Sequence, residues 1–177
     1  MIMQAHPRPE DYVQIIESAY HNASRTVFEM GVAAGTGNPM HYHEQFAETF
    51  EVLEGELLVG LGHEQLVLTP GDQVTVPPRQ PHWFKNVSGR FTRIRVIIAP
   101  ANGDFEDAMR IYKGLAQDGL ANASGIPKNL FDLAIFLKLN DSHMVGLQKV
   151  AEPFFRFLAH RAIRNGRLTE LRQRYCQ

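Results

Sequence analysis

Cysteine is almost missing from this chain of 177 residues: the one thiol, Cys176, stands next to the last residue. That excludes an intrachain disulfide framework and suits a reducing compartment. Long apolar runs are missing as well. Residues 1–9 carry two prolines and an arginine and lack the stretch a secretory leader needs, and no segment approaches the roughly 20 apolar residues of a membrane span. A cytoplasmic protein without a transmembrane segment is expected. Neither sign of charge dominates: 18 basic residues stand against 19 acidic ones, a formal charge of −1. No field draws in nucleic acid, so the expected partner is a small molecule. Internal repeats and low-complexity tracts are absent too.

What the chain does have is 44% hydrophobic residues, enough for a sizeable core, and a change of texture at Pro100. Between Arg25 and Pro100, apolar and polar residues alternate, as in Thr26-Val27-Phe28-Glu29-Met30-Gly31-Val32 and in Thr92-Arg93-Ile94-Arg95-Val96-Ile97-Ile98. This is the period of half-buried strands. Two apolar runs within 56–68, joined by a glycine-bearing turn, predict a hairpin. Strand 73–76 should stop at Pro77-Pro78, since proline gives no donor to a ladder. Closing the set into a barrel protects its edges.

After Pro100 the spacing becomes helical. Asp104 is expected to cap a helix carrying Phe105, Met109, Tyr112 and Leu115. A second helix should run from about Asn129 to Asn140-Asp141, and a third over about 144–165, where Pro153 either starts a new helix or kinks this one. The expected organisation is an N-terminal arm or edge strand over 1–20, a barrel over 21–100, and a helical extension over 101–177 that packs on the barrel or on a partner subunit.

The chemistry lies in His41, His43, Glu48 and His82. Residues two apart on a strand face the same way, so His41 and His43 share a face with Tyr42 on the reverse. A loop or bulge across 44–47 returns Glu48 to that face, and His82 opens a strand beside His41. Three imidazoles and a carboxylate suit one divalent transition metal: iron, manganese, nickel, zinc or copper. Phe50, Val52 and Phe84 share the parity of the ligands and are expected to line a substrate pocket. Trp83 has the opposite parity and should be packing, under the helical extension. Arg93 and Arg95 share a face, either the solvated outside of the barrel or the pocket. His6, His21, His63, His143 and His160 are expected to be solvated or locally bonded.

The same residues resemble the cupins in both of that family's sequence segments. The first reads Gly35, five residues, His41-Tyr42-His43, four residues, Glu48, six residues, Gly55. The second reads Gly71, five residues, Pro77, one residue, Arg79, two residues, His82, three residues, Asn86. Arg79 departs from the pattern where a turn glycine is usual, so the loop 78–81 is expected to be shaped differently. The resemblance implies a mainly β fold, a double-stranded β-helix or jelly-roll barrel with a helical C-terminal extension, and a likeness in oligomeric habit to paired barrels, hence a homodimer. It implies metal-dependent chemistry without fixing the substrate. A dioxygenase-type oxidoreductase acting on a phenolic or diketone-like substrate is the leading expectation. A Lewis-acid isomerase and a metal-dependent binding or sensing module without turnover are the alternatives. Glu48 is expected to double as a catalytic base whose proton affinity an apolar pocket raises.

Overall fold

The computed structural model describes residues 13–122 and 126–177. His6 and most of the expected N-terminal arm lie outside them. Among the described residues ten strands form two antiparallel sheets. One sheet has the order β1 (Val13–Glu17), β2 (Thr26–Val32), β9 (Thr92–Ala99), β4 (Ala47–Glu54), β7 (Gln73–Val76). The other runs β10 (His143–Met144), β3 (His41–Tyr42), β8 (His82–Lys85), β5 (Leu57–Leu61), β6 (Glu64–Leu68). The fold is mainly β with a helical extension, as the texture predicts, and β1 supplies the edge strand.

Alternation builds the core. Phe50 pairs with Val96 and Val52 with Ile94 across β4 and β9, and all four are buried between the sheets. On the outer face of the same sheet Arg95 reaches Glu29 on β2 at 2.9 Å and Glu51 on β4 at 3.0 Å. That pins three strands in register and places Arg93 and Arg95 outside the barrel, away from the pocket. The 57–68 hairpin forms as expected, with Leu61 opposite Glu64. Trp83 faces Gly60 across the β5–β8 pair; a methyl group added at Gly60 would lie 2.1 Å from the indole nitrogen. Trp83 is therefore packing, seated on a glycine of its own sheet.

The extension consists of α1 (Gly103–Gln117), α2 (Leu130–Leu139), α3 (Glu152–Arg164) and α4 (Arg167–Tyr175). Asn102, two residues before the expected cap, accepts from the Phe105 amide and caps α1. Its short side chain has the required extended backbone, whereas Asp104 is already inside the first turn. Pro153 sits in the first turn of α3, so it starts a helix instead of kinking one. Ile111, Leu115, Ile135, Leu139, Leu168 and Leu171 make a second core among α1, α2 and α4. A bidentate ion pair from Arg167 to buried Asp132, at 2.7 and 2.8 Å, fastens α4 to α2.

The extension also closes the barrel. Phe105 packs against Phe28 and Phe46, and β10 adds to the ligand-bearing sheet, with His143 opposite Tyr42 and Met144 opposite His41.

Candidate metal centre

His41 and His82 are direct cross-strand partners on β3 and β8, while Glu48 comes from β4 in the facing sheet and His43 from the turn just after β3. One ligand atom from each of the four residues lies within 4.8 Å of the other three. His43, Glu48 and His82 are buried, and His41 nearly so. The two segments read from the sequence thus converge on one point between the sheets.

Each imidazole is oriented by its Nδ1. That of His41 meets the Pro39 carbonyl at 2.9 Å, that of His82 the Gln80 carbonyl at 2.9 Å, and that of His43 the Asp141 carbonyl at 3.1 Å. A carbonyl only accepts, so all three Nδ1 atoms carry the proton and all three Nε2 atoms are directed inward. The Nε2 atoms of His41 and His43 stand 3.1 Å apart. Glu48 Oε2 is 2.9 Å from Nε2 of His82 and 3.3 Å from Nε2 of His43. Metal–ligand bonds of about 2.0–2.2 Å put neighbouring donors roughly 3 Å apart, the spacing of these three pairs within a set that spans 4.8 Å. Backbone carbonyls behind each ring are the outer support that metal-bound histidines use. The donor set fits a divalent metal.

Without a metal, a proton carries the positive charge. Burial disfavours charge on His82, yet the hydrogen bond to Glu48 and its negative charge hold His82 above its ordinary value. Burial, followed by positive charge on His82 and His43, pushes His41 down to about 4. Burial also works against the Glu48 carboxylate, but hydrogen bonds from His43 and His82 outweigh it and hold its carboxyl well below the usual range. The expected rise in the proton affinity of Glu48 is therefore corrected: its pocket is not apolar on the side that matters.

A cavity of about 1050 Å³ opens onto His41, His43 and Glu48. Phe50 and Phe84 border it, 5.5 Å apart in an edge-on pair. Val52 does not; it is fully buried in the barrel core, one pleat further along β4. The far wall comes from the extension, through Phe105, Met109, Tyr112 and Phe136. Asn86, the last residue of the second segment, is structural: its buried amide donates to the Val32 and Arg90 carbonyls. Arg79 takes a left-handed φ of 66°, the conformation a glycine would supply, and its amide donates to the His43 carbonyl. The loop keeps a glycine-like turn despite the substitution.

Residues 28–98 match the family described as Cupin domain. The barrel is a cupin. Among curated proteins this cupin is 33% identical over 70 residues to quercetin 2,3-dioxygenase of Bacillus subtilis, covering 40% of this chain and 20% of that protein. It is 29% identical over 68 residues to an uncharacterized protein of Methanocaldococcus jannaschii, covering 38% of this chain and 54% of that one. The chain thus spans about half of one curated relative and a fifth of the other. Among solved structures, KdgF from Halomonas sp. aligns with a TM-score of 0.48 at 20% identity, over 52% of this chain and 80% of that one. Among the described residues no helix is long and apolar enough to cross a membrane.

Two residues of the site escaped the sequence reading. Asp141 accepts from the Glu44 and Gln45 amides through its carboxylate, and from His43 through its main-chain oxygen. His143, expected to be solvated or locally bonded, is locally bonded to Asp141 and Glu152, and it also stacks on Tyr42 at 5.0 Å, which was not expected. The only signal for either was an Asp and a His just past the end of the second helix.

Proposed function

We propose that this cupin is a metal-dependent enzyme of the dioxygenase type, acting on a phenolic or diketone-like small molecule. The observation that carries the reading is the cavity: one large chamber reaches three of the four donors, and aromatic and aliphatic side chains dominate its walls. Its volume lies just above the usual range of small-molecule sites, about 300–1,000 Å³. The likeness to quercetin 2,3-dioxygenase, 33% identity over 70 residues, supports the oxidative reading.

His41, His43, Glu48 and His82 would hold the ion, and a redox-active divalent metal supplies an open coordination position and electron exchange with dioxygen. The chain's own contribution is positional. Three backbone carbonyls fix the imidazole tautomers, Glu48 stays ionised, and Phe50 and Phe84 offer faces for a flat ring while excluding water.

The test is oxygen uptake by protein loaded anaerobically with iron, copper, nickel or manganese, against a panel of phenols, diketones and keto acids. Substrate-dependent uptake supports the proposal. Saturable ligand binding without uptake for any metal overturns it in favour of a binding module, and isomerised product without uptake overturns it in favour of Lewis-acid chemistry.

A further inference from the structure

Among the described residues of the helical extension, Asp141 is the one shown hydrogen-bonded to a donor side chain. Asp141 follows α2 in a left-handed conformation, φ 52°, which Asp adopts more readily than most residues. That turn directs both of its oxygen-bearing groups at the segment between β3 and β4. The carboxylate Oδ2 accepts from the Glu44 amide at 2.6 Å and the Gln45 amide at 2.8 Å, and Oδ1 accepts from the Gln45 side chain at 3.1 Å. The main-chain oxygen accepts from Nδ1 of His43. Behind it, Nε2 of His143 lies 3.2 Å from Oδ1, and Nδ1 of the same ring lies 3.0 Å from Glu152. Asp141 is buried.

The other two histidines take their orientation from carbonyls two residues away in sequence, Pro39 and Gln80. His43 alone takes it from the extension. His43 also lies past the end of β3. Its carbonyl accepts from the Arg79 amide, and the Asp141 carboxylate holds the two amides that follow it.

We propose that Asp141 is a positioning residue for the metal centre: it fixes the tautomer and direction of His43, so that the extension sets metal affinity. This rests on the reading that the four donors hold a metal. A charge-assisted clamp on two amides is about twice as strong as its neutral counterpart, and losing the outer support of a metal-bound histidine typically costs about 10–100-fold in affinity.

The test uses the full chain and zinc(II), titrated in competition with a chromophoric chelator. Asp141→Asn keeps the size and tolerates the left-handed turn but loses the charge. It should bind zinc about 10–100-fold more weakly than wild type. Glu29→Gln, the same chemical change on the outer face of the barrel, should leave zinc affinity unchanged. Equal affinity in wild type and Asp141→Asn overturns the inference, and so does an equal loss in both variants. Failure of wild type itself to bind zinc strikes the metal reading instead. A readout on the unaltered protein stands beside these: the imidazole nitrogen spectrum of zinc-loaded wild type should show a slowly exchanging proton on Nδ1 of His43. Exchange as fast as that of an exposed histidine also overturns the inference.

Discussion

Nε2 of His41 and Nε2 of His43 face each other 3.1 Å apart, and Nδ1 of each ring is bound to a backbone carbonyl. At that separation the two nitrogens can share a single proton, or both can turn their lone pairs on a cation lying between or beside them. A bound divalent ion should therefore stabilise the fold. At a hundredfold excess over the dissociation constant, the gain is about 2.7 kcal/mol, or roughly 5–10 °C in Tm for a chain of this size. Thermal melts of metal-free and zinc-loaded protein check this. His41→Ala and His82→Ala should lose the increment.

Glu48→Gln removes the only negative charge among the donors. In metal-free protein the buried His82 then loses its partner and sheds its proton, a change expected to cost about 1–3 kcal/mol. Denaturant unfolding with and without zinc measures it, and the variant should also bind zinc more weakly than wild type. Undiminished zinc affinity would remove Glu48 from the ligand set.

Acid should weaken the metal-free protein through His41. The folded chain holds this imidazole near 4, against an ordinary 6.5, so between those values the unfolded chain binds the extra proton. Stability then falls as pH falls through that window. His82 works in the opposite sense. Its value is raised in the folded state, so its contribution is present below 6.5 and is lost as pH rises through the raised value. The stability of wild type relative to His41→Asn, followed by urea titration, should drop from pH 6.5 to pH 4 and level off below. A flat difference across that window would contradict the assignment.

Gly60→Ala should be costly because the added carbon meets the Trp83 ring at 2.1–2.2 Å. Overpacking of this kind costs about 1–3 kcal/mol. The double variant Gly60→Ala with Trp83→Leu should recover part of the loss, read as the coupling in a double-mutant cycle.

Arg79→Gly should stabilise the protein. A left-handed φ costs an L-residue roughly 1–2 kcal/mol, and glycine loses about 0.5–1 kcal/mol of this through its freer unfolded chain, leaving a gain of about 0.5–1 kcal/mol. The Arg79 side chain is exposed, so little contact is lost. A rise in urea midpoint with unchanged slope is the expected result.

Much of the site was legible because its geometry is local. The parity of His41 and His43, the alternation through Phe50, and the hairpin that returns His82 beside His41 all follow from a two-residue period and a turn. Val52 shows where parity stops: it names the face of a strand, not how far the cavity extends along it. Asp141 and His143 were not legible, because their partners lie 98 and 101 residues earlier, at His43 and Tyr42, and no periodicity links them. The extension's course over the barrel mouth is a tertiary fact. So is the lowered proton affinity of Glu48, since burial alone argues for the opposite sign and only the neighbouring imidazoles reverse it.

His41, His43, Glu48 and His82 converge as a donor set able to hold one ion. X-ray absorption at the metal edge, with metal analysis of the same sample, tests it most directly. One ion per chain is expected, with imidazole scattering from three histidines, reduced by one ring in His82→Ala. A wild-type protein that retains no metal after exposure to iron, manganese, nickel, zinc and copper, or whose metal shows no imidazole scattering, would contradict it.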